Sequence, residues 1–246
     1  MKPHLFTLFI IPSIALSNTF TDGSDKFGLA GGNDACWFDF NNDGYVDICA
    51  GGKIFKNEKG QKFIHVADVG PSVAADFDND GYFDLYSWGS RKVFRNIEGE
   101  RFEAIQLPHL PKGSSLGASL GDFNNDGFVD IYVGGYESWP KDTYADFVLT
   151  NEEGKSFKLD WQEVRYRARG ISSCDFDRDG DLDVYVSNYR LQPNILWQNN
   201  GKGKFLDITG EFGALANGPG FGGGHSIGAS WGDFDNDGDF DLFAGN

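Results

Sequence analysis

The chain has 246 residues, of which 40% are hydrophobic and 15% aromatic, so it can build a packed core and does not read as disordered. Its formal net charge of −16 weighs against DNA, RNA and anionic membrane surfaces as partners and favours cations. Its 34 glycines point to many tight turns.

At the N-terminus, Lys2 precedes the apolar run "LFTLFIIPSIAL" (5–16), too short to span a bilayer comfortably, and Ala15 and Ser17 form a small-x-small pattern. Residues 1–17 are predicted to be a secretory signal peptide, the alternative being a buried first strand. A secreted or cell-surface protein is the expectation, with residues 18–246 as its folded part. No later segment is long and apolar enough to make a membrane span. Three cysteines follow: Cys36, Cys49 and Cys174. They are too few for a disulfide scaffold. Cys36 and Cys49 flank the first acidic cluster almost symmetrically and could face each other across a hairpin, as a disulfide or as two thiols.

That acidic cluster, "DFNNDGYVD" (39–47), returns as "DFDNDGYFD" (76–84), "DFNNDGFVD" (122–130), "DFDRDGDLD" (175–183) and "DFDNDGDFD" (233–241). The starts lie 37, 46, 53 and 58 residues apart, spacings that mark a propeller or an array of repeats. The shared pattern is D-F-[DN]-x-D-G-x-x-D. Oxygen ligands recur at alternate positions, as a flexible loop around a hard cation requires, and calcium takes six to eight oxygens. Position 1 is Asp39, Asp76, Asp122, Asp175 or Asp233. Position 3 is Asn41, Asp78, Asn124, Asp177 or Asp235, and position 5 is Asp43, Asp80, Asp126, Asp179 or Asp237. Position 7, expected to offer its backbone carbonyl, is Tyr45, Tyr82, Phe128, Asp181 or Asp239. Position 9 is Asp47, Asp84, Asp130, Asp183 or Asp241. Up to five calcium ions are expected, with loops one and three the weaker because an asparagine replaces a carboxylate. Solvated acidic turns without metal are the plainer alternative.

An EF-hand is excluded, because its loop needs a bidentate Glu at position 12. Here that position holds Ala50, Ser87, Val133, Val186 or Ala244. Each loop runs instead into a β-like segment such as "VDIYVGG" or "LDVYVSN", so it joins two strands, with position 9 opening the second. The aromatic at position 2 (Phe40, Phe77, Phe123, Phe176, Phe234) is read as an anchor into the core.

Between the loops lies a second repeat: "IFKNEKGQKF", "VFRNIEGERF", "VLTNEEGKSF" and "LWQNNGKGKF". Asn57, Asn96, Asn151 and Asn199 are each followed six residues later by Phe63, Phe102, Phe157 or Phe205. The Asn- and Gly-rich centre reads as a hairpin turn. Each unit is then strand, acidic loop, strand, connector, strand, turn, strand, the four-stranded antiparallel blade of an all-β propeller.

The two patterns together resemble the FG-GAP/VCBS repeat family, the calcium-loop propellers of integrin α-subunit heads. "SNYRLQPNILWQNNGKGKFLDIT" is most similar to its cartilage acidic protein and ASPIC/UnbV branch. The resemblance covers nearly all of the chain after residue 17. It implies a secreted or surface calcium-binding propeller used for adhesion or protein interaction, with no enzymatic activity. Phe20, Asp22, Phe27 and Gly28 match Phe205, Asp207, Phe212 and Gly213, which predicts that the N-terminal segment is the fourth strand of a blade. The fifth unit ends without its hairpin, so an incomplete propeller of about five of seven blades is expected.

Unit three carries the longest insertion, "GGYESWPKDTYADF" (134–147), whose Tyr136, Trp139, Tyr144 and Phe147 could contact a protein or glycan partner or cap their own blade. Arg165, Arg167 and Arg169 alternate along one strand face, either as a site for an acidic partner or as a solvated face. An enzyme is disfavoured. "GSSLG" (113–117) matches a nucleophile elbow around Ser115 but lacks the helix that must follow it, and "GPGFGG" (218–223) has no βαβ unit around it. A lectin using Trp88, Trp139 and Trp231 is the other rival to a protein-interaction module.

Overall fold

The computed structural model describes residues 21–29, 34–137, 145–164, 166–215 and 223–245. The expected signal segment, Trp139, Tyr144, Arg165 and most of 218–223 fall outside them. The described residues form four antiparallel four-stranded sheets in chain order and then a two-stranded one. Blade 1 is β1 (Ala35–Phe38), β2 (Asp47–Ala50), β3 (Lys53–Asn57) and β4 (Phe63–Asp68). Blade 2 is β5 (Ser72–Ala75), β6 (Asp84–Ser87), β7 (Lys92–Ile97) and β8 (Arg101–Ile105). Blade 3 is β9 (Ser114–Gly121), β10 (Asp130–Tyr136), β11 (Ala145–Glu152) and β12 (Ser156–Val164). Blade 4 is β13 (Ala168–Cys174), β14 (Asp183–Asn188), β15 (Ile195–Asn199) and β16 (Phe205–Asp207). The fifth sheet pairs β17 (Gly228–Gly232) with β18 (Asp241–Gly245).

Each blade is a meander, the topology expected from the two repeats, and every acidic loop joins a first strand to a second. First strands touch in series, β1 to β5, β5 to β9, β9 to β13 and β13 to β17, so they are the inner strands of a propeller. Their sequences are short of bulk ("SVAA", "SSLGASLG", "GASWG") because the approach there is close. A Cβ on Gly170 would lie 2.4 Å from the Ile227 carbonyl oxygen.

The core consists of seams between consecutive sheets: blades 2, 3 and 4 bury both faces, while blade 1 and the fifth sheet leave Trp37 and Phe243 exposed. Along β10, Ile131 and Val133 pack toward Phe77, Tyr86 and Val93 of blade 2. Tyr132, between them, points the other way, toward Val184, Val186 and Trp197 of blade 4. The period of two thus sends alternate residues into two different seams. A third cluster (Phe38, Phe40, Cys49, Ile54, Leu85) joins blades 1 and 2, and a fourth (Tyr185, Leu196, Ile208, with Trp231 and Leu242) joins blade 4 to the fifth sheet.

Several sequence expectations change. Part of the N-terminal segment expected to be a blade's fourth strand is helical: α1 spans Ser24–Phe27 and ends on Gly28 in the left-handed region. The match to blade 4 holds all the same. Asp22 Oδ1 accepts the Ser24 N–H at 2.9 Å, as Asp207 Oδ1 accepts the Thr209 N–H at 3.1 Å, and Gly213 is left-handed like Gly28. In both, an Asp side chain captures the amide two residues on and leads the chain into a turn. Phe147, offered as a contact residue, is fully buried in the seam between blades 2 and 3. Trp88 and Trp231 pack against core clusters and leave no open pair of sugar-stacking rings between them. Ser115 lies within strand β9, which leads into an acidic loop and another strand.

Asp146 on β11 is a buried charge outside the loops. It accepts the Tyr132 hydroxyl at 2.8 Å and the Gly135 N–H at 2.7 Å, and burial pushes its carboxyl up to about 7. A folded pKa above the unfolded value stabilises fully below about pH 4, and that contribution is lost as pH rises through about 7. Asp146→Asn, which keeps both hydrogen-bond partners, should therefore flatten the pH dependence of stability between pH 4 and 8. The expected change is roughly 1–4 kcal/mol, read by denaturant unfolding at fixed ion content. Identical pH profiles for the two proteins would show that Asp146 does not titrate in this window.

Candidate metal centre

The five loops share one backbone geometry. The glycine at position 6 has a positive φ in all five, from 83° at Gly44 to 95° at Gly238, a conformation that costs glycine nothing. Position 4 is left-handed as well: Asn42, Asn79, Asn125, Arg178 and Asn236. The two reversals curl the loop around the position-1 carboxylate. Asp76 Oδ1 accepts the Asp80 N–H at 3.1 Å and its Oδ2 the Gly81 N–H at 2.9 Å, and Asp39, Asp122 and Asp233 do the same in their loops. The position-5 carboxylate holds the N–H of position 7 in every loop, at 2.9–3.0 Å.

Position 9 is the hub. Asp84 is buried at the head of β6, with Oδ2 accepting the Phe77 N–H at 3.1 Å and Oδ1 the Asn96 N–H at 2.7 Å. Asp47, Asp130 and Asp183 make the same pair of bonds, joining loop position 2 to the third strand. Burial, added to by neighbouring carboxylates, pushes Asp84, Asp130 and Asp183 up to about 7 and raises Asp47. These carboxylates are short of positive charge.

In loops two, four and five, positions 1, 3 and 9 come together. Asp76, Asp78 and Asp84 offer oxygens within 4.8 Å of one another, as do Asp175, Asp177 and Asp183, and Asp233, Asp235 and Asp241. Two oxygens in these groups, Asp78 Oδ1 and Asp175 Oδ1, are buried without a hydrogen-bond partner. A buried carboxylate oxygen without a partner is costly, and a cation is what such a donor set accepts. The all-oxygen set suits a hard ion such as calcium. The position-5 aspartates border these groups and hold the N–H of position 7. In loops one and three the amide takes position 3 and turns inward, Asn41 Nδ2 donating to Asp43 Oδ2 at 3.0 Å and Asn124 Nδ2 to Asp126 Oδ2 at 2.9 Å.

Family-model comparison finds the FG-GAP-like repeat over residues 76–133 and 175–244, together just over half of the chain. The chain belongs to the FG-GAP-like repeat family. No curated protein matches it significantly. The first FG-GAP loop, 39–47, lies outside the matched spans yet repeats their hydrogen bonds.

What joins one FG-GAP repeat to the next is the second motif. Asn96 Nδ2 of blade 2 donates at 2.7 Å to the carbonyl of Phe40, position 2 of loop one. Asn151 reaches Phe77 O at 2.7 Å and Asn199 reaches Phe123 O at 2.8 Å in the same way. The aromatic six residues after each asparagine packs on that same loop phenylalanine. Ring centroids are 5.8 Å apart for Phe40 and Phe102, 5.4 Å for Phe77 and Phe157, and 5.7 Å for Phe123 and Phe205. The position-2 aromatic anchors its loop to the following blade. In the fifth sheet, which no further described strand covers, Phe234 is 65% exposed.

Sequence reasoning missed two sets of site residues. Position 4 links loop to loop: Asn42 Nδ2 donates to Gly81 O at 2.9 Å, Asn79 Nδ2 to Gly127 O at 3.2 Å and Asn125 Nδ2 to Asp181 Oδ1 at 2.6 Å. Arg178 pairs with Asp239 at 3.0 Å. Asparagine in four of five copies was the available signal. In blades 1, 2 and 4 the residue before the hairpin asparagine also reaches back to its own loop. Arg95 sits 2.9 Å from Asp78, Gln198 2.6 Å from Asp177 and Lys56 3.6 Å from Asp43. Their varied chemistry hid that role.

The basic run lies at the opposite ends of the strands. Arg169 stacks over Tyr189 at 4.9 Å and Tyr136 at 5.9 Å, while Arg167 and Arg190 both bind the buried Glu137. Arg167 and Arg169 therefore have internal partners.

The clamp predicts unequal asparagines. Asn151 is buried and bonds Phe77 O, Val129 O and the Gly154 N–H. Asn57, half-buried, bonds Val46 O and the Gly60 N–H, both within its own blade. Asn151→Ala should cost about 2–4 kcal/mol and Asn57→Ala about 1 kcal/mol in urea unfolding. Equal costs would mean that the cross-blade bond contributes nothing.

Proposed function

We propose that this FG-GAP propeller is a secreted or cell-surface calcium-binding module that presents a rigid surface for adhesion or protein interaction and performs no chemistry of its own. The observation that carries the calcium reading is the set of three close carboxylates in loops two, four and five, two of them with a buried oxygen lacking a partner. Calcium would supply the missing positive charge and six to eight oxygen contacts. Asp76, Asp78 and Asp84, and their equivalents, would hold it, while the Asn, Arg and Gln partners fix the loop around them. Five ions would set ten positive charges against the formal −16. Loops one and three, with an amide at position 3, would bind more weakly.

Secretion rests on the N-terminal sequence, and extracellular calcium fits it, since modules of that kind bind at about 10⁻⁴–10⁻³ M. No helix among the described residues is long and apolar enough to cross a membrane. Assignment to the cartilage acidic protein and ASPIC/UnbV branch rests on the stretch around Trp197. A glycan partner is the second reading, and a glycan array set against protein ligands separates the two. Turnover of generic ester or glycoside substrates would revive the enzyme.

At about millimolar calcium each site should add roughly 0.4–1.4 kcal/mol by mass action, so five acting independently would add roughly 2–7 kcal/mol. Thermal melting in calcium, chelator and magnesium tests this. The melting temperature should drop markedly in chelator, and magnesium should restore little, because it demands a smaller octahedral shell. Asp235→Asn keeps an acceptor for the Asp237 N–H, now 3.1 Å from Asp235 Oδ1, and removes the charge. It should lower the calcium-dependent gain and leave the chelated protein unchanged. Superimposable curves in all three conditions would leave the loops as plain acidic turns.

A further inference from the structure

Cys36 on β1 and Cys49 on β2 are direct register partners, and both are free thiols. The Gly51 N–H donates to the Asp34 carbonyl at 3.1 Å, so residues 34 and 51 form a hydrogen-bonded pair, and the alternation along an antiparallel ladder makes Cys36 and Cys49 another. Such pairs hold their Cα atoms about 5.5 Å apart, inside the range a disulfide spans. The two side chains leave the same face and join the same cluster, with Phe38, Phe40 and Ile54.

This site is unlike its equivalents. The matching pairs in the other sheets are Val73 with Tyr86, Ser119 with Tyr132, Ser172 with Tyr185 and Ser230 with Phe243. Each sets a large ring against a small partner. Tyr86, Tyr132 and Tyr185 are fully buried and fill the seam to the following blade or sheet. Blade 1 alone replaces the ring with a thiol and places a second thiol opposite.

We infer that Cys36 and Cys49 are a redox-closable pair, forming a cross-strand disulfide that staples β1 to β2 at the foot of the first acidic loop and stands in for the aromatic plug of the other blades. The twelve residues between them contain the whole of loop 39–47. The oxidant is a low-molecular-weight disulfide such as oxidised glutathione. Cys36, the half-exposed member, attacks one glutathione sulfur as a thiolate, forming a mixed disulfide and releasing one glutathione thiol. Cys49, buried behind it, loses its proton and attacks Cys36 Sγ, releasing the second. Two thiols and one glutathione disulfide become one protein disulfide and two glutathione thiols, and the protein loses two electrons. A pair at a hydrogen-bonded register is strained relative to an ideal bridge, so the bond should open again under a reducing glutathione ratio.

The test uses the full chain, equilibrated while folded at graded ratios of reduced to oxidised glutathione, then alkylated and examined by mass spectrometry. Oxidation should remove two hydrogen atoms, leave one alkylatable thiol at Cys174 and yield a cross-linked peptide containing Cys36 and Cys49. The oxidised form should melt several degrees above the reduced form. Cys174→Ser should keep both results. Cys36→Ser should abolish both, and it can be checked for folding in the reduced state, where it should melt like the parent. Three alkylatable thiols at every ratio, or glutathione retained on Cys36 without closure, would overturn the inference.

Discussion

The structure depends on a clamp made across each seam by the asparagine and phenylalanine of one blade on the loop phenylalanine of the blade before. Asn151 bonds the Phe77 carbonyl while Phe157 packs on the Phe77 ring, and Asn96 with Phe102 and Asn199 with Phe205 do the same one blade away on either side. A buried amide–carbonyl bond contributes about 1 kcal/mol, and an edge-on aromatic pair adds about 0.5–1.5 kcal/mol beyond the area it buries. Both fall on one loop residue, so the first strand, the acidic loop and the following blade become ordered together.

The loops are thereby part of the blade interface. Position 9 shows it most directly: its carboxylate is buried, accepts two backbone N–H groups, and is the residue through which the loop reaches the third strand. Crowding four or five oxygen donors into nine residues is tolerable because the backbone supplies N–H donors to most of them. What remains unsatisfied is concentrated at Asp78 and Asp175. That residue of unbalanced charge is where a cation would act, and the seam would feel its binding through the position-4 bonds that pass from loop to loop.

The two ends of the strands differ in character. One carries the acidic loops. The other carries Arg169 between Tyr136 and Tyr189, and Glu137 bound by two arginines. Charges there are neutralised inside the fold, by contacts between blades 3 and 4, whereas the acidic end keeps its excess. A polarised disc of this kind favours cations on one face, consistent with the sign of the whole chain.

Much of this was legible in the chain itself. The nine-residue acidic pattern, repeated five times before β-like segments, determined that loops join strands and that position 9 opens the second strand, because oxygen spacing and side-chain alternation are local properties. The Asn-x5-Phe spacing likewise located the second hairpin of each blade. Only the tertiary structure decided what those residues touch. Phe77 and Asn151 are 74 positions apart, and nothing local ties them; the pairing exists because blades 2 and 3 pack face to face in one seam. The same holds for position 4, whose partner lies in another loop, and for Phe147, which looks like a surface aromatic in an insertion but is carried into a seam by the register of β11. The helical turn at Ser24–Phe27 was misjudged for the opposite reason: a local Asx bond turns the chain where the repeat alignment had placed strand. Local spacing names the ligands and the strands, and the stacking of sheets decides which carboxylates end up buried together.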